Sequence, residues 1–195
     1  MVSGDRVTTK HYAYRLDHDT GFAPHVAAKV CTLCGCKSTT VEAWARPGSW
    51  VVGIGGNGTG KPDLLIYAMQ VESNSTVAEL RRRSPRLTGY LRRHGIKASA
   101  RILMSKRFYY FGDHAIPLRS KQLQGLVIGG RGCRKVKDED IAHLVAHLAA
   151  RNYAPGIHGC PNNLQPQAPA QCGCSGLLPS RGPAPIVRKV GMSWK

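Results

Sequence analysis

The chain has 195 residues, 42% of them hydrophobic, and carries 28 Lys and Arg against 11 Asp and Glu, a formal net charge of +17. That length allows one domain with a core. No apolar run reaches the roughly 18 residues that a membrane helix needs, and the polar opening Met1–Lys10 has no apolar stretch of the secretory kind, so a cytoplasmic protein without a membrane partner is expected. The charge excess repels itself in a compact fold and points to a polyanionic partner, a nucleic acid or nucleotide.

Residues 1–9 read as a lead without regular structure. Lys10–Leu16 places Tyr12 and Tyr14 on one face at period two, a strand signature. Asp17–Lys29 is dense in turn residues and reads as a loop. Val41–Ala45 reads as a short strand, Arg46–Ser49 as a turn, and Trp50–Ile54 as a strand. Gly55–Pro62 reads as a flexible Gly-rich tip, and Asp63–Glu72 as a central strand. The two strands flanking this tip are expected to pair as an antiparallel hairpin.

Thr76–Arg93 reads as helix in two pieces. Ser75 or Thr76 can cap the first, with Glu79 at capping-box spacing from Thr76, and Pro85 should end it near Arg83 or Ser84. Ile102–Met104 and Arg107–Phe111 read as strands. Gln122–Ile128 is ambiguous, and Gly129–Lys135 reads as a basic Gly-rich loop. Asp138–Arg151 reads as a helix, with acids in its first turn where the helix dipole favours them and Ile141, Leu144, Val145 and Leu148 on one face. The composition turns Pro-rich beyond Tyr153. A domain over 10–160 and a flexible Pro/Gly/Cys-rich tail over 161–195 are therefore expected.

Five blocks resemble a known family in order. They are His18-Asp19-Thr20-Gly21-Phe22-Ala23-Pro24 with Cys31-Thr32-Leu33 and Cys36-Lys37; Gly48-Ser49-Trp50-Val51-Val52-Gly53; Leu65–Val71; Phe108-Tyr109-Tyr110-Phe111-Gly112; and Gly130-Arg131-Gly132. Together they look like the nucleotide modification associated domain of type 2, over about residues 10–160. Ser49 stands where that family usually has Asp, so no role needing an acid at 49 is carried over. The resemblance implies an association with systems that modify or handle altered nucleotides, often of phage and mobile elements. It also implies an α+β fold, a PUA-like mixed or antiparallel β-barrel with flanking helices.

On these grounds the turn His18, Asp19, Thr20, Gly21 and Phe22 is the first candidate for a base-binding site. It offers a titratable donor, an acceptor, a hydroxyl, a close backbone approach and a ring that can stack on a base; the plain alternative is an ordinary turn in which Asp19 bonds its own backbone. Trp50, Tyr67 and Tyr109 are candidates for an aromatic slot, or for core. Arg82, Arg83, Arg86, Arg93, Arg131, Arg134 and Lys135 are candidates for phosphate contact, and along one helix 82, 86 and 93 would share a face.

The seven cysteines read first as reduced thiols, with no cofactor expected. Cys31, Cys34 and Cys36 could supply half of a zinc site, completed by His158, Cys160, Cys172 or Cys174. Cys31 with His18 as base would instead be a nucleophile pair. Gly55-x-x-x-x-Gly60-Lys61 nearly spells a phosphate-binding loop. Pro62 follows where a magnesium-binding hydroxyl belongs, and a strand follows where a helix belongs, so nucleotide hydrolysis is excluded. Three functions stand open: a nucleic-acid or modified-nucleotide binding module, a base- or nucleotide-modifying enzyme using His18, Asp19 and Cys31, and a structural accessory with protein partners in a modification complex.

Overall fold

The structure, a computed structural model, describes residues 9–27, 29–35, 41–130 and 132–163. In chain order its elements are strands His11–Leu16 (β1), His25–Ala27 (β2) and Val30–Cys34 (β3), helix Val41–Trp44 (α1), strands Trp50–Gly55 (β4), Leu64–Gln70 (β5) and Ser73–Thr76 (β6), helices Val77–Arg83 (α2) and Gly89–Arg93 (α3), strands Arg101–Ser105 (β7), Phe108–Tyr110 (β8), Ile116–Pro117 (β9) and Cys133–Val136 (β10), helix Asp138–Ala150 (α4) and strand Gly156–Ile157 (β11). The fold is α+β. No helix among the described residues is long and apolar enough to cross a membrane.

Strands that are apolar at both parities need cover on both faces. β1 and β4 are of this kind, with Tyr12, Ala13 and Tyr14 buried in one and Val51, Val52 and Ile54 in the other. They sit inside a seven-stranded sheet of order β10-β1-β4-β5-β8-β11, with β9 also on β5. One face of this sheet carries Trp50, Val52, Leu65, Ala68 and Tyr109 and is covered by Ile141, Leu144 and Leu148 of α4 and by Leu123, Leu126 and Ile128. The other carries Tyr12, Tyr14, Val51, Tyr67, Met69 and Tyr110 and packs on Val26, Cys31, Leu33 and Leu103 of a second sheet, of order β2-β3-β7-β6. The second sheet's outer residues, Cys34, Ile102 and Met104, meet Val77, Leu80, Tyr90 and Leu91. The layers therefore run α4, large sheet, small sheet, α2–α3.

A row of paired residues crosses the large sheet: Tyr14 on β1, Gly53 on β4, Tyr67 on β5 and Tyr110 on β8. Gly53 is the gap through which Tyr14 and Tyr67 meet, their hydroxyls 2.8 Å apart. A Cβ at Gly53 would overlap the Tyr67 ring and Leu16. Beside it Ile66 is the extra residue of a bulge, since Gly53 faces Tyr67 while Ile54 faces Leu65.

The structure corrects several expectations. The strands of the described residues form no closed barrel. They are divided over two sheets whose faces are sealed by layers above and below, and β10 and β11 remain as the ends of the larger sheet. Val41–Ala45 is not a strand: α1 forms there, and the Asn74 amide holds its orphan end by donating to the carbonyls of Glu42 and Ala45, at 2.8 and 2.7 Å. The loop Asp17–Lys29 contains β2, which pairs with β3. The loop Gly129–Lys135 contains the start of β10; its exposed Arg134 and Lys135 hide the alternation that would mark a strand.

Ser49 is buried and its Oγ accepts from the Arg46 N–H at 3.0 Å, closing the turn as a carboxylate there also could. The hairpin of β4 and β5, the Thr76–Glu79 capping box and the end of α2 at Arg83 all stand as the sequence implies. The Gly-rich stretch after β4 holds a 3-10 turn at Asn57–Thr59 and leads into β5, not into a helix. Gly53→Ala is expected to cost about 1–3 kcal/mol by overpacking the Tyr67 and Leu16 contact. Thermal denaturation checks this, and an unchanged melting temperature would contradict the tyrosine row.

Candidate functional site

β1, β4, β8 and β11 run parallel to one another across the large sheet, either as neighbours or through the antiparallel β5. Their carboxyl ends therefore deliver four loops to one edge, the place where α/β sheets collect ligands. The loops are 17–24, 56–63, 111–115 and 158–163.

Asp19 holds them together. It is fully buried, and the Tyr110 hydroxyl donates to its carboxylate, 2.8 and 2.9 Å from the two oxygens. The Asn162 N–H reaches Oδ2 at 3.2 Å, and the Gly21 N–H also bonds the side chain. Its backbone is clasped too, since the Asp19 N–H donates to Asn163 Oδ1 at 2.7 Å and the Asn163 N–H to the Asp19 carbonyl at 2.8 Å. Asn162 and Asn163 in turn donate to the carbonyls of Thr59 and Gly58. Burial raises the Asp19 pKa above its ordinary 3.8, and the bonds from Tyr110, Asn162 and Gly21 oppose that rise. Gly21, at φ +74°, lets Pro161 pack on the turn where a Cβ would not fit. Exposed around this node are His18, Thr20, Asn57, Asp113 and His114.

Phe22, the last residue of the turn, leaves the node and packs on α3. Its ring lies 4.4 Å from His94 and 5.9 Å, edge-on, from Tyr90. His25 stacks on Tyr90 at 3.8 Å and 24°. Its Nδ1 is 2.9 Å from the Gly21 carbonyl, and the Tyr90 hydroxyl meets that of Thr32 at 2.8 Å. Residues 77–93 hold Arg81, Arg82, Arg83, Arg86, Arg92 and Arg93 against one acid, Glu79, and all six arginines are exposed. Through Phe22 the turn thus touches the helical layer that carries these arginines.

The other candidates lie elsewhere. Arg82, Arg86 and Arg93 do not share a helix face, because α2 stops at Arg83 and Pro85–Leu87 forms a separate 3-10 turn before α3. Arg134 and Lys135 stand on β10, at one end of the large sheet. Tyr67 faces the small sheet. Trp50 and Tyr109 face the opposite side, where they stack at 6.5 Å and the Arg107 guanidinium lies 5.6 Å from the Trp50 ring. Trp50 borders a cleft of about 690 Å³ with Gln70, Val145, Asp138 and His11. There His11 accepts from the Trp50 N–H at 2.9 Å and approaches Asp138 at 3.3 Å.

Cys31 and Cys34 are both buried, and their strand positions aim them at different clusters, one between the sheets and one beneath α2–α3. They cannot converge on one ion. Burial pushes the Cys31 thiol up, and it pushes Cys34 up to about 12. His18, the partner considered for Cys31, lies on the surface over Gly58. Cys36, Arg131, Cys172, Cys174 and residues 164–195 lie outside the described residues, among which no group of three metal-binding side chains gathers.

Residues 8–89 match nucleotide modification associated domain 2. The matched stretch includes β1, the His18–Phe22 turn, the hairpin with Gly53, and Arg81–Arg86. It ends before Tyr90, Arg93 and His94, short of the residue 160 or so that the motifs suggested. No curated protein and no solved structure matches the chain. The domain's name ties this stretch to nucleotide modification. Tyr110, Asn162, Asn163, His25, Tyr90 and His94 were not singled out by sequence reasoning. The Asn pair is disguised by the Pro-rich stretch it opens, and the others by ordinary strand and helix surroundings.

Asp19→Ala would leave the Tyr110 hydroxyl and two backbone N–H groups without an acceptor, and is expected to cost about 2–4 kcal/mol, read as a lower melting temperature. Because the folded pKa of Asp19 is raised, the native state holds its proton longer than the unfolded chain. The stability contribution of Asp19 therefore falls as pH rises from 3.8 through the folded value. Asp19→Asn should remove that fall from the pH–stability curve.

Proposed function

We propose that this chain is a nucleic-acid binding module of a nucleotide modification system. Phosphates lie along the arginines of α2–α3, and a base sits against the His18–Phe22 turn. The observation that carries this reading is the packing of Phe22 on Tyr90 and His94, which joins a possible stacking ring to the arginine layer. Phe22 is partly exposed, and in this reading its exposed edge meets a base. His18 and Thr20, both exposed, supply polar edges beside it.

The net charge of +17 supports a polyanionic partner. In this reading Asp19 serves to position the turn. Its carboxylate is bonded on both oxygens and closed to solvent, which favours binding over catalysis.

Salt titration of the affinity for DNA and RNA oligonucleotides tests the reading. The logarithm of the affinity should fall linearly with that of the salt concentration. The triple variant Arg82→Ala, Arg83→Ala, Arg86→Ala should weaken binding evenly across sequences and reduce the slope by about one per arginine in contact. Phe22→Ala should weaken single-strand binding by about 1–3 kcal/mol. An affinity that does not change with salt, or no binding at low salt, rejects the module.

A further inference from the structure

We propose that His25, Arg93 and His94 form a site for one phosphate group, and that filling it takes a proton from solvent onto His25. The site deepens the nucleic-acid reading above and rests on it.

The geometry begins with the residue spacing on α3. Tyr90 and Arg93 stand three positions apart on α3, and His94 caps its end. His25 stacks on the Tyr90 ring, and Phe22 closes on the His94 ring. Three groups able to carry positive charge are thereby gathered at the edge of the turn. Arg93 and His94 are exposed and His25 is half-buried.

The orientation of His25 sets its chemistry. A carbonyl can only accept, so the 2.9 Å contact with the Gly21 carbonyl fixes the ring hydrogen on Nδ1. In the neutral ring Nε2 then presents a lone pair, which repels a phosphate oxygen. After protonation the same atom donates a charge-assisted hydrogen bond. The ring must gain one proton before it can hold the anion.

The surroundings keep it neutral until then. Burial lowers the His25 pKa first, the Gly21 carbonyl raises it, and Arg93 and His94 lower it further. The described groups near its ring are Arg93 and the Tyr90 ring on α3, His94 at the end of α3 and the Gly21 carbonyl on its own segment, and among these there is no carboxylate. A phosphate would offset the repulsion from the arginine and the second histidine and draw the pKa upward. Binding and proton uptake therefore favour each other.

The test measures the affinity of a fluorescent single-stranded oligonucleotide between pH 5.5 and pH 8 at fixed salt. It is paired with an NMR titration of the His25 ring with and without inorganic phosphate. Wild-type affinity should fall by up to about tenfold per pH unit above the His25 pKa, as one linked proton requires. His25→Gln, a neutral donor at every pH, should flatten that dependence more than His94→Gln does. Inorganic phosphate should raise the pKa of His25 in the unmodified protein, a readout that needs no variant to fold. Salt-dependent binding that ignores pH, or a His25 pKa that phosphate leaves in place, overturns the site while the module stands. If no oligonucleotide binds but phosphate still raises the His25 pKa, the anion site stands and the nucleic-acid module falls.

Discussion

The buried carboxylate of Asp19 is the constraint on which the rest of this surface depends. A charge removed from water must be met on every side, and here the partners come from far apart in the chain. Tyr110 stands at the end of β8, Gly21 belongs to the turn itself, and Asn162 lies some 140 residues later in the sequence. Satisfying one side chain thus pins the turn to the edge of the large sheet. With its root fixed, Phe22 has one direction left, outward onto α3.

The layers behind that edge follow from equally local demands. Tyr14 and Tyr67 carry hydroxyls into an apolar interior and can be buried only if they find each other. They do so across β4 because position 53 has no side chain. The bulge at Ile66 adjusts the register next to this crossing. Small core details therefore determine where β1, β4 and β8 end, and so where the loops of the candidate site meet.

Much of this was readable from residue pattern. The strands β1, β4 and β5, the capping box of α2, the stop at Pro85 and helix α4 each follow from periodicity or from a named cap, and both are local signals. What the pattern could not give was long-range pairing. β2 is three residues in a turn-rich stretch, and it becomes a strand because β3 offers it an edge. β10 reads as a loop because Arg134 and Lys135 face water. Val41–Ala45 has strand-like composition, and the Asn74 amide, distant in sequence, holds it as a helical turn. At the site, the motif His18–Phe22 was visible, but its polarity was not. The acid that looked available for chemistry is sealed inside, and the partners of Phe22, buried Tyr90 and exposed His94, lie just past the matched residues.

The two outer helical layers have a consequence for how this molecule meets a partner. Between Asp138 and Ala150 there is no Lys or Arg, and Asp138, Glu139 and Asp140 open that helix, while six arginines crowd the layer on the far side. The arginines are therefore unevenly shared between the two helical layers. A polyanion of the kind proposed would meet the α2–α3 layer on more favourable terms than α4.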